Sequence, residues 1–134
     1  MKALRACPLF AGMSDIEIEI TLGNVPHQLV SLPPHDVYAV AGMPCRSVDI
    51  VVSGVLICRM AALSGKQVEV SRLRSGNLVA PAFIFSKDRS LPVSVETDGR
   101  VELFRMKPDS LKSLIDNDDA IRMNFIRILS IPFD

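Results

Sequence analysis

The spacing of apolar and polar residues changes twice along the chain, from helical to alternating and back to helical. Near the N-terminus, Ser14 and Glu17 have the spacing of a capping box, in which each residue accepts a hydrogen bond from the other's backbone amide. We therefore predict a helix over residues 15–22, ended by the Gly-Asn pair that follows. The apolar pair Leu9 and Phe10 precedes this helix and is expected to pack beneath the domain.

Between about residue 28 and residue 106 the apolar residues recur with a period of two, as they do in half-buried strands. Turn-forming pairs separate the runs, among them Ser53-Gly54 and Asp98-Gly99. Asp98-Gly99 is the strongest hairpin signal, because a type I′ turn requires positive φ at both central residues. The predicted strands are residues 28–32, 37–41, 48–52, 55–60, 67–73, 93–97 and 100–106. Seven or eight short strands at this spacing predict a sandwich, a jelly roll or a small barrel.

After residue 106 the period is again helical and predicts two helices. Pro108 suits the first turn of the earlier helix, and Leu111 and Leu114 belong to its apolar stripe. Asp118 is placed to cap a second helix over residues 119–129.

This second helix is apolar on more than one face. Ile121 and Phe125 form one side, and Met123 and Ile126 lie beside it. A single barrel cannot cover all of that surface. We therefore expect Met123 and Ile126 to face a second copy of the chain in a homodimer.

Composition narrows the class of protein. Hydrophobic residues make up 49% of the chain and the 15 basic residues balance the 15 acidic ones, which is typical of a globular domain and argues against binding nucleic acid or membranes by net charge. No apolar run is long enough to span a bilayer. The three cysteines, Cys7, Cys45 and Cys58, are odd in number and widely spaced, as reduced, buried thiols of a cytoplasmic protein would be.

The residues that carry chemistry in enzymes do not form a recognisable set. His27 and His35 lack the His-x-His spacing of a cupin metal site and are expected at the surface. The chain has no Ser-His-Asp order, no phosphate-cradling glycine loop and no paired acid and base. We expect neither an enzyme nor a metal site.

The element order, together with short motifs, resembles a known family. The motifs are PLF at 8–10, MS at 13–14, VSGV at 52–55 and PVSV at 92–95. By its element order and these motifs, essentially the whole chain resembles the sensor domain of the Crp/Fnr family of bacterial transcription regulators. That domain has the cyclic-nucleotide-binding fold. The resemblance implies a mainly β, jelly-roll barrel flanked by one N-terminal helix and two C-terminal helices.

The resemblance also implies an organisation and partners. Residues 1–118 would be the sensor domain, and residues 119–134 the start of a truncated dimerisation helix. DNA would be bound only through a helix-turn-helix domain that these 134 residues lack, and a small molecule would act as the effector.

Cyclic-nucleotide-binding members hold their ligand with a cassette that reads Gly-Glu-(Leu/Ile), then Arg-(Ser/Thr)-Ala. The glutamate binds the ribose hydroxyl and the arginine pairs with the cyclic phosphate. The positions of this chain that match are Ala80, Pro81, Ala82, Arg89 and Ser90.

Proline at the glutamate position removes both the carboxylate and a backbone amide donor. Pro81 therefore argues against cyclic AMP and cyclic GMP as effectors, and the effector stays unknown. The alternative is a structural or dimerisation domain whose pocket is filled and which has no effector. The bulky segment 83–85 would line the pocket, pack against the helix over 119–129, or form ordinary core.

Haem stays open as a cofactor, since some relatives in this family of regulators bind it through Cys or His. No motif selects a ligand. The candidates are Cys7, Cys45, Cys58, His27 and Met60.

Overall fold

The computed structural model describes residues 1–88 and 90–130, and shows antiparallel strands flanked by helices at both ends of the chain. The helices are α1 (Lys2–Ala6), α2 (Asp15–Leu22), α3 (Pro108–Asn117) and α4 (Asp119–Leu129), with short 3₁₀ helices at Pro8–Phe10 and Pro81–Phe83. The strands are β1 (Gln28–Leu32), β2 (Val37–Ala39), β3 (Val48–Ala61), β4 (Gln67–Leu73) and β5 (Ser94–Met106). The predicted mainly β, jelly-roll fold class is confirmed.

Strand β5 is the centre of the sheet. The strands lie in the order β1-β5-β3-β4, and β2 also pairs with β5. All of these pairings are antiparallel, and the longest ladder joins β3 to β5, from Val48 opposite Met106 to Arg59 opposite Ser94. Residues far apart in sequence therefore lie side by side across this ladder.

Two of the predicted turns are wrong. Ser53-Gly54 lies inside β3 and Asp98-Gly99 lies inside β5, so the predicted strands 48–52 and 55–60 are one strand, as are 93–97 and 100–106. Gly54 and Gly99 do have positive φ, 87° and 81°. Here that conformation makes bulges in a continuous ladder, where the pairing register shifts, because a positive-φ glycine suits a bulge as well as a hairpin turn.

The predicted helices α2, α3 and α4 are confirmed, and α1 was not predicted. Ser14 and Glu17 form the expected capping box, and the side chain of Asp118 accepts hydrogen bonds from two amides at the start of α4. The predicted burial of Leu9 and Phe10 is also correct, since both are at most 1% exposed. Among the described residues, none of the helices combines the length and hydropathy needed to cross a bilayer.

The buried side chains form two clusters. The larger one packs the helices against the sheet and includes Phe10, Ile18, Ile121 and Phe125. The smaller one, called here the strand cluster, belongs to the sheet and Val79. Its members are Val51, Leu56, Cys58, Val79, Val95, Val101 and Leu103.

Candidate functional site

The first half of the cassette, residues 80–82, begins with a residue in the left-handed conformation. Ala80 has φ 46° and ψ 53° and immediately precedes the 3₁₀ helix Pro81–Phe83. An L-residue with a Cβ pays about 1–2 kcal/mol for this conformation, whereas glycine adopts it freely. The backbone at Ala80 thus has the geometry for which glycine, the residue of the nucleotide binders, is suited.

The 3₁₀ helix that follows offers less to an anion than its position suggests. Pro81 is its first residue and has no amide hydrogen. Further along, Ile84 is fully buried, and Phe85 packs edge-on against Phe125 of α4 with ring centroids 5.8 Å apart. Of the three roles considered for segment 83–85, Phe85 takes the one of packing against α4, and Ile84 belongs to the core.

In the second half of the cassette, residues 89–90, the hydrogen-bond donors of Ser90 are already bonded within the chain. Arg89 lies outside the described residues, so its predicted contact with an anion stays a prediction. The Ser90 amide donates to Oδ1 of Asp88 at 3.0 Å. Hydrogen bonds from the Ser90 side chain and backbone hold the pKa of the Asp88 carboxyl below its usual value. The donors of Ser90 therefore already face a carboxylate within the chain.

Backbone hydrogen bonds fix this second half against the segment before β3. The Leu91 amide donates to the Met43 carbonyl at 2.9 Å, and the Gly42 amide donates to the Leu91 carbonyl at 2.8 Å. Ser90 also forms an isolated β-bridge with Pro44. These bonds hold residues 90–91 against residues 42–44.

A small cavity of about 140 Å³ lies beside Ala80. Ligand sites for organic molecules usually measure about 300–1,000 Å³. The cavity is lined by Tyr38, Ala39, Met43, Pro44, Cys45, Arg46, Ser47, Val79, Ala80, Leu91 and Arg105.

Three of the residues that line this cavity, Tyr38, Ser47 and Arg105, bind one buried carboxylate. Asp49, on β3, is 0% exposed. It accepts hydrogen bonds from Arg105 (Nε at 2.7 Å and Nη2 at 3.1 Å), from the Ser47 hydroxyl at 2.9 Å and from the Tyr38 hydroxyl. Burial and the Asp49 charge raise the pKa of Tyr38, which keeps its hydroxyl protonated as a donor. We call these four residues the Asp49 cluster.

The Asp49 cluster was not predicted from the sequence. A signal was present, because Asp49 lies inside the apolar run of residues 48–52, and Arg105 stands between Phe104 and Met106. Charged residues in buried strands are rare unless they are paired. The partners, however, are 56 positions apart.

The three cysteines are buried, reduced thiols, as predicted. Cys7 is 1% exposed, and burial raises the pKa of its thiol to about 11. Among the other haem candidates, Met60 is exposed and His27, also at the surface, stacks on Phe104. Within residues 1–88 and 90–130, no three His, Cys, Asp or Glu residues come together as a metal site.

Helix α4 has one buried face and one exposed face. Ile121 and Phe125 are buried, and the buried Asn124 side chain donates to the carbonyls of Leu9 and Ala11 at 3.0 Å each. Met123 and Ile126 are 45% and 48% exposed. Their role in a dimer stays a prediction.

Comparison with known proteins agrees with this geometry. The family model described as the cyclic nucleotide-binding domain matches residues 29–118, and the chain belongs to this family. No curated protein sequence matches the chain.

Solved structures share the fold at low sequence identity. The catabolite activator protein of Thermus thermophilus superposes with a TM-score of 0.80 at 20% identity, over 92% of this chain and 56% of that one. The sensor domain of the transcriptional regulator DNR from Pseudomonas aeruginosa gives 0.77 at 17% identity, over 96% and 85%. The regulatory domain of Toxoplasma gondii PKA, solved with cAMP, gives 0.70 at 17% identity, over 84% and 42%. The fold expected from the Crp/Fnr resemblance is therefore confirmed.

Proposed function

We propose that this chain is the regulatory sensor domain of a Crp/Fnr-type transcription regulator whose effector is not a cyclic nucleotide. Membership of the cyclic nucleotide-binding domain family supports the sensor role. The fold shared with a catabolite activator protein and with the DNR sensor domain supports the regulatory context. DNA would be contacted only by a further domain outside these 134 residues, and the regulator would act in the cytoplasm.

The observation that carries the effector argument is Pro81 at the start of the 3₁₀ helix. With proline at this position, the site has no carboxylate to bind the ribose of a nucleotide and has one amide fewer to face its phosphate. A buried ribose hydroxyl left unpaired costs about 1–3 kcal/mol. The Ser90 donors are also engaged by Asp88, so they would have to exchange that carboxylate for the phosphate.

A second candidate function is a structural domain with no effector, in which the sheet only supports a dimer. The strand cluster favours this candidate, because Val79, next to Ala80, already packs with Val51 and Leu103. The cavity of about 140 Å³ beside Ala80 leaves little room for an organic effector.

Thermal unfolding with cyclic nucleotides tests the main proposal. We expect 1 mM cyclic AMP or cyclic GMP to leave Tm unchanged. A ligand bound with a Kd near 10 μM would instead stabilise the fold by about 2.7 kcal/mol at that concentration, which is a rise of several degrees. Such a rise would contradict the proposal.

The same assay, extended to haem and to small anionic metabolites, separates the two candidate functions. A saturable rise in Tm with one of them supports a sensor. No rise with any of them at millimolar concentration favours the structural domain.

The dimer proposed from the sequence is tested through the exposed face of α4. Met123→Glu with Ile126→Glu places two carboxylates in the proposed interface, and we expect a monomer in analytical ultracentrifugation. The matched control is Ile16→Glu with Ile20→Glu, because these α2 side chains are also exposed, 68% and 65%. The control should keep the dimer mass, and equal masses for both variants would reject the interface.

A further inference from the structure

A groove of about 390 Å³ lies next to the Asp49 cluster, and Ala80 and Val79, which line the small cavity, do not line this groove. Arg46, Ser47 and Arg105 line both the small cavity and this groove. His27 and Lys107 also line the groove. The segment that leads into β1, the segment just before β3 and the end of β5 thus meet at one concave surface. Its volume falls within the usual range for small-molecule sites.

The groove has an excess of positive charge. Arg105 is neutralised by Asp49 at 2.7 Å. Arg46 and Lys107 are exposed, and neither side chain makes an ion pair with a residue in the described part of the chain. None of the described residues that line the groove is acidic. Two cations without counter-charges therefore converge on one concavity, although the chain as a whole has no net charge.

The uncharged part of the groove has an ordered wall. The His27 ring stacks on Phe104 with centroids 4.9 Å apart, and its Nδ1 donates to the Val25 carbonyl at 3.0 Å. This wall gives an organic group a flat surface beside the cations. Arginine presents planar donors that match phosphate oxygens, and lysine adds a compact charge.

We propose that this groove binds a small phosphate ester, with Arg46 and Lys107 contacting the phosphate and the His27 ring contacting the organic group. The proposal does not rest on the proposed function, because Pro81 and Ser90 do not line the groove. A bound ester would contact Arg105, which Asp49 connects to Tyr38 beside the small cavity. Binding in the groove would then affect the small cavity beside Ala80 through the hydrogen bonds of the Asp49 cluster.

The test uses inorganic phosphate and phenyl phosphate as probes, with sodium chloride at matched ionic strength as the reference. Backbone amide chemical shifts are followed by NMR through the titration. We expect saturable shifts at Arg46, Ser47 and Lys107, with phenyl phosphate also shifting His27. Arg46→Gln with Lys107→Gln should weaken both probes by about tenfold or more, because two charge-assisted contacts are removed.

The control variant is Lys66→Gln with Arg100→Gln, which changes the net charge equally at exposed positions outside the groove. It should bind both probes as the unaltered chain does. Shifts that never saturate, or equal weakening in the two double variants, would overturn the proposal. Binding that survives in Arg46→Gln/Lys107→Gln but is lost in Pro81 or Ser90 variants would place the anion at the cassette and would also overturn it.

Discussion

Two carboxylates in this domain collect hydrogen bonds in opposite ways. Asp49 is fully buried and takes its donors from Tyr38, Ser47 and Arg105, which lie on or next to three different strands. Asp88 takes its donors from Ser90, two residues further along. The first set of bonds requires the assembled sheet, whereas the second requires only a local turn.

This difference separates the part of the domain that maintains the fold from the part that would specify a ligand. The Asp49 cluster joins β3 to β5 and to the strand that carries Tyr38, so its loss affects the whole sheet. The cassette is closed by local bonds and by backbone pairing to residues 42–44. We therefore expect its sequence, including the position of Pro81, to tolerate change without loss of the fold.

The largest effect is expected at Asp49. Asp49→Ala leaves the Arg105 guanidinium and the Tyr38 hydroxyl without their shared acceptor, which should lower the free energy of unfolding by about 3–5 kcal/mol. Urea denaturation monitored by circular dichroism measures it. Asp98→Ala is the control, because Asp98 is exposed and its pair with Arg72 spans 3.3 Å at the surface. The control should lose no more than about 1 kcal/mol, and a similar loss for both variants would remove the contrast.

The sequence predicted those parts of the fold that depend on local patterns. The capping box at Ser14, the Asp118 cap and the alternating strand runs each specify structure within a few residues. Helix α1 was missed because five residues cannot form a stable helix alone. It is held by tertiary packing of Ala3 and Leu4. The turns at Gly54 and Gly99 were wrong because the same residue type serves hairpins and bulges.

The candidate site was predictable only in part. The family resemblance implies that Pro81 stands at the position of an acid in the nucleotide binders, and the structure gives Ala80 the left-handed conformation for which glycine is suited. The Asp49 cluster and the groove at Arg46 and Lys107 depend on which strands become neighbours. A local pattern does not contain that information.

A smaller effect, of opposite sign, is expected at Ala80. Ala80→Gly removes a Cβ from a left-handed residue and should raise the free energy of unfolding by about 0.5–1 kcal/mol, since part of the relief is offset by the flexibility of glycine in the unfolded chain. Ala82→Gly is the matched control, because Ala82 is exposed and lies in the 3₁₀ helix. Ala82 is not among the residues with positive φ, so Ala82→Gly relieves no strain in the fold. It should lower the free energy of unfolding by about 0.5–1 kcal/mol. Stabilisation by both variants, or by neither, would show that backbone strain is not stored at this end of the cassette.

The smallest effect concerns Asp88, and it separates the two carboxylates most sharply. Because the folded state lowers the pKa of Asp88, its contribution to stability is present above the pKa of the unfolded chain and is lost as the pH falls through the folded pKa. Ser90→Ala removes the hydroxyl donor, so the pKa of Asp88 should rise toward its ordinary value.

Carboxyl-detected NMR titration measures this change residue by residue. The Glu17 carboxyl, whose pKa is lowered by Ser14, serves as the internal reference and should not move. The Asp49 carboxylate should keep its contacts, because none of them comes from Ser90. If the pKa of Asp88 stayed constant in Ser90→Ala, the Ser90 hydroxyl would not be held by the Asp88 carboxylate. That hydroxyl would then be free to meet an external anion, which would weaken one of the two arguments against a nucleotide and leave Pro81 as the stronger one.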